Sequence, residues 1–482
     1  MIHADRSETW RSLYASGQLS RFIVLCLGIW LHAADTLVTA TIAPAIVDDI
    51  GGVAYINWTI MLYEVGAIVG GAAAPMLCQR IGIKRLLQLA ALIYGGGCLI
   101  GTLAPSMAVL LAGRLAQGLG GGILLSLCYL AIQQWFTVAW WSRLFGIVAL
   151  IWGAGSLLGP LIGGVFAGLH AWRMTFTSFA AQAAVLWIMA SLWLPSPSPQ
   201  SPLPPNSPPP TPPPPLPAAK PWPLLPLLVL TAATLLIAQS SLASAVSLSV
   251  LGAAVGAGLL LLSARLDRRA GSRLFPAQVL DFRHPIGAGL LMVFLLSVAT
   301  TGFWAYGPLI LKILFDTPPL VSGYILAGEA VAWSLATLAV SKAHPSTGWW
   351  LIRVGVSMVA LGAAGFALAV PAGLLDGMVL CALLQGFGFG LCWPSIVHRM
   401  AQLSAEAERP LAVTSPETIQ RIGYAVGAAA VGIAANLSGL AAGISVAAAK
   451  AAAFWVFAAF VPLLLLALLL AWNFTREPAP AA

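Results

Sequence analysis

Charge is scarce in this sequence. Of 482 residues, 23 are Lys or Arg and 15 are Asp or Glu, so that 8% are charged. A soluble domain carries about 25%. So few ions cannot cover a water-facing surface for a chain of this length. The composition therefore excludes a soluble globular enzyme, a disordered chain and a nucleic-acid-binding module. Cysteine and histidine are equally scarce, six of each. Cys26, Cys78, Cys98, Cys128, Cys381 and Cys392 sit in or beside apolar runs without C-x-x-C spacing, and read as small buried hydrophobes. The histidines are scattered, with His32 alone inside an apolar run, so no metal site is expected. H-E-x-x-H, G-x-S-x-G and a phosphate-binding loop are all missing. That removes the basis for an enzyme or for nucleotide-driven transport, and no cofactor is expected.

What the chain has is hydrophobe: 60% of residues, with a mean hydropathy of +0.92. Such a chain belongs in lipid. A helix needs about 20 apolar residues to cross roughly 30 Å of hydrocarbon. Stretches of that length lie near 22–46, 56–77, 86–104, 107–131, 143–167, 174–194, 223–241, 244–263, 286–311, 320–341, 350–371, 374–397, 415–436 and 450–472, which makes fourteen. The first is too long for the apolar region of a cleavable signal, so none is expected.

Basic residues orient these spans. With fourteen spans, Arg6, Arg11, Arg21, Arg80, Lys84, Arg85, Arg143, Lys220, Arg265, Arg268, Arg269, Arg273, Arg283, Lys342, Arg353, Arg399, Arg409 and Arg476 fall on one side. Only Arg173, Lys312 and Lys450 fall on the other. Both termini are therefore expected to be cytoplasmic. The same count separates 223–241 from 244–263, which are nearly continuous, since a single span there would place five arginines outside.

Residues 195–217 form a low-complexity tract centred on Pro208–Pro210 and Pro212–Pro215. Proline runs adopt extended polyproline II, and at ~3.1 Å per residue this one reaches roughly 70 Å. It reads as a semi-rigid cytoplasmic linker, with a docking site for a proline-recognising partner as the alternative. The expected organisation is a six-helix bundle over 1–194, a proline-rich linker over 195–222, two extra spans over 223–264, a basic cytoplasmic loop over 265–285, and a second six-helix bundle with a short tail over 286–482. Two six-helix halves meeting at the membrane midplane is a transporter architecture.

In the fifth span Gly155, Gly159 and Gly163 recur every fourth residue on one helix face, with Pro160 and Gly164 beside them. Small residues so spaced let a second helix approach closely, and proline allows a bend. The G-x-x-x-G-P-x-x-G-G pattern resembles the antiporter motif of the major facilitator superfamily. L-x-x-R-x-x-Q-G-x-G-G in the fourth span (Leu111, Arg114, Gln117, Gly118, Gly120, Gly121) resembles that superfamily's proton-coupling motif. Asp35-Thr36 followed by Ala43-Pro44 is similar to the signature of its drug:proton antiporters. The central pair of spans, and the R-L-D-R-R…L-F-P loop after it, resemble the fourteen-span branch. One motif departs. Where the family carries Gly and Asp in the loop between spans two and three, this chain has Pro75 and Gln79, followed by Arg80, Gly82, Lys84 and Arg85. In the family that Asp helps lock one conformation. Gln79 carries no charge, so the resemblance implies a weaker or relocated lock, while the basic residues still anchor the loop in the cytoplasm.

An ionisable group inside a span costs at least about 2.5–3.5 kcal/mol, so each one needs a reason. Asp35 lies about fourteen residues into its span, near mid-depth at ~1.5 Å per residue. Glu329 lies near the middle of the tenth span. Neither has a basic residue at its depth in its own span, and both are expected to line a central cavity. Glu64 and Arg114 lie at matching depths and are expected to pair, structurally or as part of coupling. Glu417 and Arg421, one turn apart near the inner end of span thirteen, read as a structural i,i+4 ion pair. Removal from water favours the neutral form of a carboxyl group, and an ionised one attracts a cation. Proton and cation competing for one carboxylate gives exchange without further machinery. The candidate proton-coupling and cation-binding set is thus Asp35, Glu64, Arg114 and Glu329. Trp304, Tyr306 and Trp333 either line the cavity, where they could stack on a lipophilic cation, or pack the bundle.

The expected function is a proton-coupled exporter of lipophilic, foremost cationic, drugs in the cell's inner membrane, powered by the proton gradient. A transporter dedicated to one solute, such as a siderophore, polyamine, metabolite or lipid, is the alternative. Its partners would be small molecules, protons and membrane lipid, and the protein would be a monomer.

Overall fold

The computed structural model describes residues 13–14, 17–52, 55, 58–195, 223–240, 246–270, 273–317, 319–341, 343–438 and 446–476. The proline-rich tract beyond Pro195, with Lys220, lies outside the described residues. So do Arg6 and Arg11. The described residues form helices joined by turns and irregular loops, with no strand. Lipid offers no partners for backbone polar groups, and a helix pairs its own.

The helices are α1 (Gln18–Ile50), α2 (Trp58–Thr102), α3 (Met107–Trp135), α4 (Val138–Gly168), α5 (Trp172–Trp193), α6 (Leu224–Ser240), α7 (Val246–Arg269), α8 (Pro285–Phe315), α9 (Pro319–Ala339), α10 (Gly348–Ala369), α11 (Leu375–Leu403), α12 (Arg409–Leu437), α13 (Val446–Ala458) and α14 (Val461–Thr475). Ten helical segments among the described residues are long and apolar enough to cross a membrane, and Leu224–Ile237 is a shorter apolar one.

Several boundaries differ from the sequence reading. The last expected span, 450–472, is broken into α13 and α14 between Ala458 and Val461. The loop expected between 77 and 86 shrinks to one residue, Gly82, whose φ of 79° joins the two limbs of α2. Only glycine enters that left-handed region freely. The helix expected from 415 begins instead at Arg409, which carries Arg421 about 18 Å along its axis, at mid-helix rather than near the end.

Helices α1–α5 pack as one half, and α8–α14 as the other. In each half one glycine-rich helix is the hub. Gln117, Gly118, Gly120 and Gly122 of α3 recur as Gln385, Gly386, Gly388 and Gly390 of α11. The packing recurs with them. A Cβ at Gly118 would collide with the Tyr63 carbonyl, and one at Gly386 with the Glu329 carbonyl. A Cβ at Gly97 would lie 2.6 Å from the Gln117 nitrogen, and one at Gly362 would lie 2.9 Å from the Gln385 nitrogen. Backbones this close leave no room for a side chain, which is how small residues stabilise helix pairs where lipid supplies no hydrophobic drive. The hairpin α6–α7 packs against α2 and α12, the seam between the halves. Opposite, α4 meets α9, where Ser334 Oγ donates to the Ala149 carbonyl at 2.5 Å.

Candidate functional site

Asp35 of α1 is 1% exposed and Arg114 of α3 is 0% exposed. Arg114 Nη1 donates to Asp35 Oδ2 at 2.6 Å and to Gln117 Oε1 at 3.1 Å, and its Nε donates to the Thr59 carbonyl at 2.9 Å. Gln117 Nε2 reaches Asp35 Oδ1 at 3.4 Å. The guanidinium lies 4.4 Å from the centre of the Tyr63 ring. Its Nη2 is buried without a partner among the described residues. The span-four motif thus becomes a clamp: Arg114 and Gln117 hold the Asp35 carboxylate, and Gly118 admits the backbone of α2.

This corrects the expected pairing. Arg114 binds Asp35, not Glu64. Depth along a span does not choose the partner of a buried charge; helix crossing does, and α3 crosses α1 at Asp35. Glu64 is instead bound across the seam. Arg421 Nη1 donates to Glu64 Oε2 at 2.6 Å, and its Nη2 donates to Glu417 Oε1 at 3.1 Å and to His32 Nε2 at 2.6 Å. The i,i+4 pair of Glu417 and Arg421 is present, but as part of a cluster joining the two halves. His32 was not legible as a site residue. Its position alone inside an apolar run was the signal. Its Nδ1 lies 2.7 Å from the Tyr63 hydroxyl, and Trp152 stands edge-on to its ring at 5.6 Å.

Glu329 of α9 is 3% exposed. Gln385 Nε2 donates to its Oε1 at 2.7 Å and the Trp304 indole is a second donor toward the carboxylate, while the Gln385 Oε1 is buried without a partner among the described residues. Gln385 lies outside the expected site residues, and its signal in the sequence is the Q-G-x-G-x-G pattern that repeats the one at Gln117. No basic side chain is bonded to Glu329 among the described residues.

The glycine face of α4 lies on α1 beside Asp35. A Cβ at Gly155 would sit 3.1 Å from the Ala33 carbonyl carbon, and one at Gly163 would sit 2.9 Å from Thr41 Cβ. Gly159 is buried, whereas Gly164 is exposed, with no described atom within 4 Å of where its Cβ would lie. The side chains of Thr36, Ala43, Pro44 and Pro160 lie outside the described set. The second half repeats this contact, with Gly423 and Gly427 of α12 against Ser297 and Thr301 of α8.

The expected gate loop divides by role. Gln79, Arg80 and Arg85 are exposed. Lys84 Nζ donates to the carbonyls of Ser191 and Leu194 at 2.9 and 2.8 Å, closing the C-terminal end of α5 where unpaired carbonyls favour a cation. After α7, the Asp267 carboxylate accepts from the backbone N–H of Leu274 and Phe275 at 2.7 and 3.0 Å, and Arg273 bonds Glu408 at the start of α12 at 2.5 Å. Of the aromatics, Trp333 stacks on Phe389 with centroids 4.8 Å apart and packs on Trp393, while Trp304 packs edge-on to Phe303. Tyr306 is half-buried.

The sequence pattern of the Major Facilitator Superfamily matches residues 25–372. A probable multidrug-efflux transporter of Mycobacterium tuberculosis is 28% identical over 447 residues, 90% of this chain and 91% of that one. An MFS-type transporter of Metarhizium majus is 23% identical over 418 residues, 84% of this chain and 69% of that one. Among solved structures, a proton:xylose symporter aligns with a TM-score of 0.64 at 16% identity, covering 96% of this chain and 97% of that one. The human organic anion transporter MFSD10 aligns with a TM-score of 0.62 at 14% identity, covering 93% and 98%. At these identities the structures show the fold.

Proposed function

The chain belongs to the major facilitator superfamily, and from that premise we propose that it is a proton-coupled exporter of lipophilic, foremost cationic, compounds in the cell's inner membrane. The observation that carries the proposal is the Asp35–Arg114 pair, sealed between α1 and α3 and backed by the glycine face of α4. A proton on Asp35 removes the charge that Arg114 binds. The clamp then loosens at the point where α1 and α4 touch backbone to backbone, so protonation and helix movement are one event. Glu329, with no basic partner among the described residues, offers a second carboxylate in the opposite half for a proton or a cationic substrate. Export against a gradient draws on the membrane potential, in which one charge is worth about 2.3 kcal/mol per 100 mV.

In this reading the chain crosses the membrane fourteen times with both termini in the cytoplasm, α6–α7 form the extra central pair, and the proline-rich tract links the halves on the cytoplasmic side. The protein works as a monomer without a cofactor. The multidrug-efflux name of the mycobacterial relative supports the substrate class. The test is proton release from purified protein on adding each member of a compound panel. Release with lipophilic cations is expected. No release with any of them sinks the proposal.

A further inference from the structure

The seam between the halves holds two carboxylates for one guanidinium. Glu64 comes from α2, and Glu417 and Arg421 come from α12. A guanidinium can only donate, so His32 Nε2 accepts from Arg421 and the ring proton sits on Nδ1, facing the Tyr63 hydroxyl. His32 is therefore neutral in this arrangement. With both carboxylates ionised the cluster carries one negative charge in excess.

The cluster is also incompletely closed. The side chain of Glu64 is 31% exposed, against 9% for Arg421. Arg421 Nε is buried without a partner among the described residues. The guanidinium is thus a resident occupant of a two-carboxylate site whose outer member is partly exposed, and the Trp152 ring stands edge-on to the His32 ring that Arg421 also bonds.

We propose that Glu64 and Glu417 form the docking site for the substrate's cationic head, that Arg421 is its built-in competitor, and that the site therefore selects cations bearing N–H donors, such as amidinium, guanidinium or primary ammonium, over quaternary ammonium ions. The inference rests on the cation-export reading above. An amidinium presents the same fork of donors as Arg421 and replaces its charge-assisted bonds one for one. A quaternary ammonium has no N–H and replaces none. Displacing Arg421 from Glu64 also removes an ion pair between α2 and α12, so occupancy of the site and loosening of the seam coincide. The selectivity comes from the competitor: a ligand enters only by matching what Arg421 gives up.

Equilibrium binding to the full chain in lipid nanodiscs, without a gradient, tests this with an alkyl-amidinium and an alkyl-trimethylammonium of equal chain length. The amidinium is expected to bind at least about tenfold more tightly to the wild-type protein. Arg421→Met is expected to tighten amidinium binding by a similar factor, and Glu64→Gln to abolish the preference. Equal binding of the two probes, or an Arg421→Met protein that binds the amidinium no more tightly, overturns the proposal and leaves cation export standing. Binding of neither probe overturns both. If Arg421→Met does not fold, the wild-type ratio alone decides.

Discussion

Asp35→Asn leaves the Arg114 guanidinium, 0% exposed, without its counter-charge. The bonds from Arg114 to Thr59 and Gln117 survive, but both partners are neutral. Removing one member of a buried ion pair costs about 3–5 kcal/mol, a large part of the roughly 5–15 kcal/mol that holds a typical domain folded. Asp35→Asn is therefore expected to lower the thermal unfolding temperature by several degrees as well as to abolish proton-linked efflux. Loss of transport in that variant alone would not separate coupling from folding. Arg114→Met and the double variant do. With both charges gone no uncompensated ion remains, so the double variant is expected to recover more than half of the lost stability while still failing to exchange protons. The resulting double-mutant cycle should give a coupling of about 2 kcal/mol or more. Two assays are needed: thermal unfolding in detergent and substrate efflux from proteoliposomes under a pH gradient. An Asp35→Asn protein as stable as wild type, extruding substrate at the wild-type rate, would refute both the structural and the coupling role of the pair.

Gly118→Ala places a Cβ on the Tyr63 carbonyl, whereas Gly164→Ala meets nothing within 4 Å; the first should fail to yield folded protein and the second should express and transport normally, as read by size-exclusion profile and efflux. Glu329→Gln still accepts the hydrogen bond from Gln385, so its unfolding temperature should stay within a few degrees of wild type while proton release falls; unchanged release would remove Glu329 from the mechanism. At the C-terminal end of α1, Arg173 and Trp172 clasp the Asp49 carboxyl, and their hydrogen bonds, Arg173's first, hold it below its usual range. A depressed value means this contribution is complete above the unfolded-state value, about 3.9, and is lost as pH falls through the folded-state value. The gap in unfolding temperature between wild type and Asp49→Asn should therefore hold from about pH 5 to 7 and close below about pH 4; a gap that widens in acid contradicts the clasp.

Composition and periodicity were enough to read a helical membrane chain. Apolar runs of 20 residues in a chain with 8% charge admit no other economy of surface. The same scarcity made Asp35, Glu64, Arg114, Glu329, Glu417 and Arg421 stand out, because a charge in lipid is costly whatever the fold. The glycine motif of α4 was legible as a helix contact, though its partner α1 was not. Partners were what the linear chain withheld. Arg114 and Asp35 are 79 residues apart, and Arg421 and Glu64 are 357 apart. Which helices cross is decided by where glycines let backbones close in, as at Gly118 against Tyr63 and Gly386 against Glu329. Span depth, the one coordinate a sequence supplies, ranked Arg114 with Glu64 and misplaced Arg421 by a helix start. Charge content alone determined the solvent of this protein. The crossings of its helices decided which buried charges meet, because in a low-dielectric interior an ion's energy depends on its neighbours within a few ångströms.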